Sequence, residues 1–147
     1  MSLRTVGGHE TAETIDDLKV WLRGLEGCPP VTRSVVATCD RPAHAGEPAT
    51  WFYVEADPTA GVARLRCLAC GNAHPVLDSE ERWTFPGAWS CVNCNQSIAE
   101  VAFGVHDHNG RASWLVMAVR CVECGHLHGA TDLVVDNAPT DDLIAQL

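Results

Sequence analysis

The sequence predicts a small, mostly β, metal-stabilised protein in which an N-terminal α-helix precedes two successive β-hairpin units. Three observations support this fold class. The chain has 147 residues and is 46% hydrophobic, which suits a globular core. Most of it reads as short alternating segments separated by turns. It also contains eight cysteines, six of them in Cys-x-x-Cys pairs, which indicates metal binding.

Residues 11–27 predict the helix. The apolar side chains that recur at helical spacing are Ile15, Leu18, Trp21, Leu22 and Leu25. Thr11 or Thr14 can cap the start of this helix, and Gly24 or Gly27 can close it. We expect its apolar stripe to pack against the rest of the chain.

The remainder predicts short β-strands. They cover residues 35–38, 50–55, 62–66, 100–106, 113–120 and 133–135. Asn109-Gly110 is a strong hairpin signal, and an acidic, helical tail is expected over 136–147. Because such short strands bury little apolar surface, the ions are expected to replace a hydrophobic core, so that metal removal would unfold the chain.

Three Cys-x-x-Cys pairs carry the candidate sites. They are Cys67/Cys70, Cys91/Cys94 and Cys121/Cys124. An internal repeat relates them, because residues 67–74 and 121–128 both read Cys-x-x-Cys-Gly-x-x-His after an arginine. Cys39 lies 28 residues before Cys67, much as Cys91 lies 30 residues before Cys121. The first unit is therefore expected to use Cys39-x4-His44 where the second unit uses a Cys-x-x-Cys pair.

This spacing resembles the zinc ribbon, in which two rubredoxin-like knuckles are joined by a β-hairpin, repeated here in tandem over residues 39–135. The resemblance implies two structural zinc ions. The first would be held by Cys39, His44, Cys67 and Cys70, and the second by Cys91, Cys94, Cys121 and Cys124. The expected divisions of the chain are a helical segment (1–38), two ribbon-like units (39–82 and 83–135) and an acidic tail (136–147). The first copy departs from the ribbon pattern, because its opening pair is longer and ends in histidine.

Three alternatives for the metal remain open at this stage. Cys67 and Cys70 can pair with Cys91 and Cys94, which leaves the other four ligands as an interleaved site. Cys28 can replace His44 as the fourth ligand of the first ion. Iron can replace zinc, because the four-cysteine unit also resembles a rubredoxin centre.

Other side chains that could bind a ligand or take part in a reaction are interpreted here as structural. His74 and His128 occupy equivalent repeat positions, which predicts a shared role such as packing on a knuckle or bonding to a thiolate. His106 and His108 are expected in a solvated hairpin turn, and His126 at the surface. The aromatic stretch 83–89 is expected to fill the interface between the two units.

Composition and motifs limit the function. The net charge of −9 argues against direct nucleic-acid binding, and no apolar run is long enough to span a bilayer. The absence of a signal-like N-terminus and the need for reduced thiols predict a cytoplasmic location. No catalytic motif is found. We therefore expect a non-catalytic zinc protein that offers a rigid surface to another protein. The alternatives are a nucleic-acid or transcription-machinery-associated ribbon protein and a rubredoxin-like iron electron carrier.

Overall fold

A computed structural model describes residues 4–6, 9–24, 30–40 and 47–147, and these ranges are mostly β. The strands are β1 (Arg4–Val6), β2 (His9–Thr11), β3 (Arg33–Val36), β4 (Phe52–Asp57), β5 (Val62–Cys67), β6 (Ala73–Pro75), β7 (Ile98–His108), β8 (Arg111–Cys121) and β9 (Leu127–Pro139). The helices in these ranges are α1 (Ile15–Arg23) and α2 (Thr140–Ala145). The N-terminal pair β1–β2 has no counterpart in the predicted strands.

Seven strands form one curled antiparallel sheet in the order β6-β5-β4-β7-β8-β9, and β3 also pairs with β7. The two predicted hairpins, β4–β5 and β7–β8, meet where Phe52 lies opposite Ala99 and Tyr53 opposite Ile98. Strand β3 pairs farther along the same edge of β7. The two hairpins therefore share a sheet, and the division of the chain into units at residues 82 and 83 stays a prediction.

The hydrophobic core differs from the expectation of short strands with little interior. Strands β7 and β8 have 11 residues each and β9 has 13. Their inner side chains pack into one buried cluster with those of β4 and β5, including Phe52, Phe103, Leu115 and Met117. Each of these four side chains is at most 1% exposed. The middle of this hairpin is buried on both faces, since residues 101–105 and 114–119 are all buried.

Helix α1 confirms the predicted N-terminal helix over part of residues 11–27. It begins after Thr14, which forms a capping box with Asp17, and it ends at Gly24. Leu18 and Leu22 are fully buried and pack on the second face of the sheet. This second buried cluster also contains side chains of β7, β8 and β9, namely Ala102, Trp114, Val116, Ala118 and Leu127. The sheet is therefore covered by α1 on the face opposite its inner core.

Turns and the C-terminal segment complete the fold. Asn109 and Gly110 both have positive φ, 53° and 74°, which confirms the predicted hairpin turn. The last strand is longer than expected, because β9 continues to Pro139 rather than ending at residue 135. The acidic tail then forms α2, whose Leu143 is buried. In the described residues, neither helix is long or apolar enough to cross a membrane.

Candidate metal centres

The three Cys-x-x-Cys turns share one backbone geometry. In each turn the N–H of the first cysteine donates to the carbonyl five residues later. The N–H four residues later donates back to that cysteine, and all the N···O distances are 2.8–2.9 Å. The residue in the fourth following position has a positive φ in every case: Gly71 (72°), Asn95 (65°) and Gly125 (78°). Glycine and asparagine tolerate this conformation, so the local sequence supports the turn that aims both thiols inward.

Cys91, Cys94, Cys121 and Cys124, named here the second cluster, meet at the end of the β7–β8 hairpin. Their sulfur atoms all lie within 4.8 Å of one another. The Sγ atoms of Cys91 and Cys124 are 3.6 Å apart, and those of Cys94 and Cys121 are 3.5 Å apart. Two thiolates on one tetrahedral zinc ion lie about 3.8 Å apart, given a Zn–S bond of about 2.3 Å. This spacing is compatible with a metal ion.

Cys39, Cys67 and Cys70, named here the first cluster, form a separate group with the same mutual spacing. Cys39 lies in a bridge to Ala49, and its Sγ is 3.8 Å from that of Cys70. The structure therefore groups the cysteine pairs consecutively rather than in the interleaved arrangement. The two candidates for a fourth ligand, His44 and Cys28, lie outside the described residues.

The thiols of the second cluster are electrostatically unequal. Burial raises the pKa of the Cys121 thiol to about 12. Burial also opposes ionisation of Cys124, but hydrogen bonds from the Asn93 side chain and the His126 backbone lower the pKa of that thiol to about 7. Because adjacent thiolates repel one another, four of them need a cation between them to ionise together.

The two repeated histidines do not share one environment. His74 is half-buried, and its Nε2 lies 3.3 Å from the Sγ of Cys39. His128 is exposed and stacks on His126, with 6.3 Å between ring centroids. His126 itself is only 4% exposed, so its expected surface position is wrong. The cause is packing, because the chain after Cys124 is covered by the N-terminal segment through an Ala12 N–H bond to Gly125.

Asn93 is a site residue that sequence reasoning missed. Its Nδ2 lies 3.4 Å from the Sγ of Cys124 and can donate a hydrogen bond to that sulfur. Nothing in the spacing of the cysteines pointed to this role, because the contact crosses from one knuckle to the other. Asn95 was also missed, although asparagine at the position filled by glycine in the other two turns was a usable signal.

Two other expectations are corrected in part. His106 and His108 lie in the last three residues of β7 rather than in the turn, and the His106 Nδ1 donates to the Pro30 carbonyl at 2.8 Å. In the aromatic stretch, Trp89 is partly buried and packs against the inner core, while the expected interface between two units stays a prediction. Phe85 instead points to solvent and is 85% exposed, while Trp83 stacks on the Arg64 guanidinium at 4.3 Å.

Fold and site together define a mostly β protein with two cysteine clusters that can each hold a metal ion. Comparison with protein-family models, with curated proteins and with solved structures gave no match.

Proposed function

We propose that this chain is a non-catalytic protein in which two structural zinc ions support a surface for binding another protein. The supporting observation is the sulfur spacing of 3.5–3.8 Å in both clusters. This spacing matches that of thiolate ligands on one tetrahedral zinc ion, and a cation between the sulfur atoms would allow them to ionise together. In this proposal each ribbon-like unit binds one ion.

The second ion is held by four cysteines and the first by Cys39, Cys67, Cys70 and His44. Cys28 is the alternative fourth ligand of the first ion. A zinc ion with four protein ligands has no open position for water or substrate, which favours a structural role over a catalytic one. Iron in the four-cysteine site would instead make the protein an electron carrier.

The proposed binding surface lies beside the first cluster. Trp51, Tyr53 and Leu68 are 47%, 39% and 37% exposed, which is high for large apolar side chains. The Leu68 N–H donates to the Trp51 carbonyl at 3.0 Å, so these two residues are adjacent. A shallow groove of about 330 Å³ runs between them and can receive an apolar side chain of a partner.

This surface depends on metal because Leu68 lies inside the Cys67–Cys70 turn. Loss of the ion would release the turn and, with it, one wall of the groove. With a net charge of −9, the chain favours a neutral or basic partner protein over a nucleic acid.

Elemental analysis of the purified protein tests the metal assignment. We expect two zinc ions per chain and a colourless sample, whereas a red, reducible sample would establish iron. Cys121→Ser should bind one zinc ion and melt at a lower temperature, because a hydroxyl is a poor substitute for a thiolate. His44→Ala should weaken the first ion alone. An unchanged first ion in His44→Ala, lost in Cys28→Ser, would move the fourth ligand to Cys28.

Site-specific photo-crosslinking in cells tests the surface. A benzophenone amino acid at position 51 should give one discrete adduct, and the same adduct should disappear when Cys67→Ser is added. The matched control is position 20 on α1, where Val20 is 40% exposed. Identical adducts from both positions, or an adduct that survives Cys67→Ser, would contradict the proposed surface.

A further inference from the structure

His74 stands directly against the first cluster. It lies at the centre of β6, opposite Leu65 of β5. Its Nε2 is 3.3 Å from the Sγ of Cys39, within the range of an N–H···S hydrogen bond. The ring also meets Phe52 edge-on, with 6.5 Å between ring centroids. Strand pairing and this aromatic contact thus hold the imidazole in one orientation.

The spacing places His74 beside the ligand set rather than within it. Ligands of one tetrahedral ion are all within about 4 Å of one another. In the described part of the chain, the three cysteine sulfurs at this site all lie within 4.8 Å of one another, and no histidine nitrogen lies that close to all three. His74 therefore contacts the Cys39 sulfur as a hydrogen-bond partner.

A parallel contact occurs at the second cluster. There the Asn93 Nδ2 lies 3.4 Å from the Sγ of Cys124. Within the described residues, each cluster thus has at least one side-chain N–H group directed at one of its sulfurs. His128, which the repeat makes equivalent to His74, instead stacks on His126 and is exposed. The sulfur contact is therefore a product of the tertiary fold and not of the repeated motif.

We propose that His74 is a positioning residue of the first metal centre, which donates its Nε2–H to the Cys39 thiolate and slows departure of the ion. This inference rests on the proposed function, because it requires the first cluster to hold a metal. A hydrogen bond to a ligating atom fixes the orientation of that atom, and losing such a partner typically weakens metal binding about 10–100-fold.

The imidazole also shields the sulfur from solvent. Cys39 is fully buried. His74 forms part of the wall of a cavity of about 320 Å³, which is also lined by Thr38 and Asn72. Because the same ring contacts the Cys39 sulfur, removing it would leave open space between this cavity and that sulfur. A competing chelator would then reach the ion more easily, in addition to the effect of the lost hydrogen bond.

Transfer of zinc to a colorimetric chelator tests this inference on the full chain loaded with two zinc ions. His74→Ala should accelerate the release of one ion by about 10–100-fold and leave the other unchanged. Asn93→Ala should accelerate release of the other ion, which shows which kinetic phase belongs to which cluster. His128→Ala is the matched control and should change neither. His74→Gln, whose amide can also donate to sulfur, should recover part of the slow release.

X-ray absorption at the zinc edge separates positioning from ligation. The average count of sulfur and nitrogen ligands should be the same in His74→Ala as in the unmodified chain. Unchanged release rates in His74→Ala, or the loss of a nitrogen ligand, would overturn the inference while leaving two bound ions. An unmodified chain without two bound metal ions would instead overturn the proposed function.

Discussion

At the scale of single residues, the glycine after the knuckle has a different structural role in each of the two repeats. Gly71 and Gly125 occupy the same motif position and have similar φ values, 72° and 78°. A Cβ at Gly71 would meet nothing within 4 Å. A Cβ at Gly125 would lie 2.5 Å from the Ala12 carbonyl oxygen. The second knuckle therefore needs glycine both for its backbone conformation and for close packing against the N-terminal segment.

This difference predicts unequal effects of the same substitution. Gly71→Ala should lower the free energy of unfolding by about 1–2 kcal/mol, the cost of a left-handed conformation for a residue with a Cβ. Gly125→Ala should lower it further, because the Ala12 backbone must also move and its 2.8 Å hydrogen bond to Gly125 is disturbed. Denaturant unfolding of the two metal-loaded variants checks this prediction. Equal losses would show that the contact with Ala12 does not constrain the knuckle.

At the scale of elements, Asp107 joins three segments at the far end of the sheet. The Thr32 hydroxyl, just before β3, and the Thr140 hydroxyl, at the start of α2, both donate to its carboxylate. The Asp107 N–H in turn donates to the Thr32 oxygen at 2.9 Å. These hydrogen bonds, with Thr32 making the larger contribution, lower the pKa of Asp107.

A lowered pKa in the folded protein means that ionised Asp107 stabilises the fold. Its contribution is present above the unfolded pKa, about 3.9, and is lost as the pH falls through the lower folded pKa. Asp107→Asn should therefore unfold at lower denaturant concentration at pH 7, and the difference should shrink as the pH falls below about 4. Asp142→Asn removes the same charge from an exposed position on α2 and serves as the control. A difference independent of pH would contradict the role of the charge.

The sequence predicted some elements better than others, for local reasons. Helix α1 was predictable because its cap, its apolar stripe and its closing glycine all lie within the helix or beside it. The Asn109-Gly110 turn was predictable for the same reason. The pair β1–β2 was missed because its strands have three residues each, too few to show alternation. The extent of β9 was missed because pairing with β8 extends it through polar residues.

At the scale of the whole molecule, the long strands change what the metal is expected to do. The buried cluster on the inner face and the one beneath α1 both contain side chains of β7 and β8. Both cysteine clusters lie at strand ends, since Cys67 ends β5 and Cys121 ends β8. The hydrophobic interior thus stabilises the centre of the sheet, while the proposed ions would stabilise the end that carries the knuckles.

Metal removal is therefore expected to loosen the knuckles without dissolving the sheet. After exhaustive chelation under reducing conditions, the far-ultraviolet circular dichroism of the β-sheet should persist. Amide hydrogen exchange should rise in residues 67–72, 91–96 and 121–126, while the middle of β7 and β8 should stay protected. Complete, cooperative loss of the β signal on chelation would contradict this prediction and show that the ions make the main contribution to stability.

By itself the sequence determined the residue types that cluster, the conformation of each knuckle and the N-terminal helix. These depend on spacing, capping and backbone preference, which act over a few residues. Only the tertiary structure decided that two hairpins share one sheet and that His74, but not His128, contacts a sulfur. It also decided that Arg120 bonds to the Ala12 carbonyl while its repeat partner Arg66 bonds to Gly71. Identical motifs diverge in this way because their partners come from distant parts of the chain, and a local pattern carries no information about which segment will pack against it.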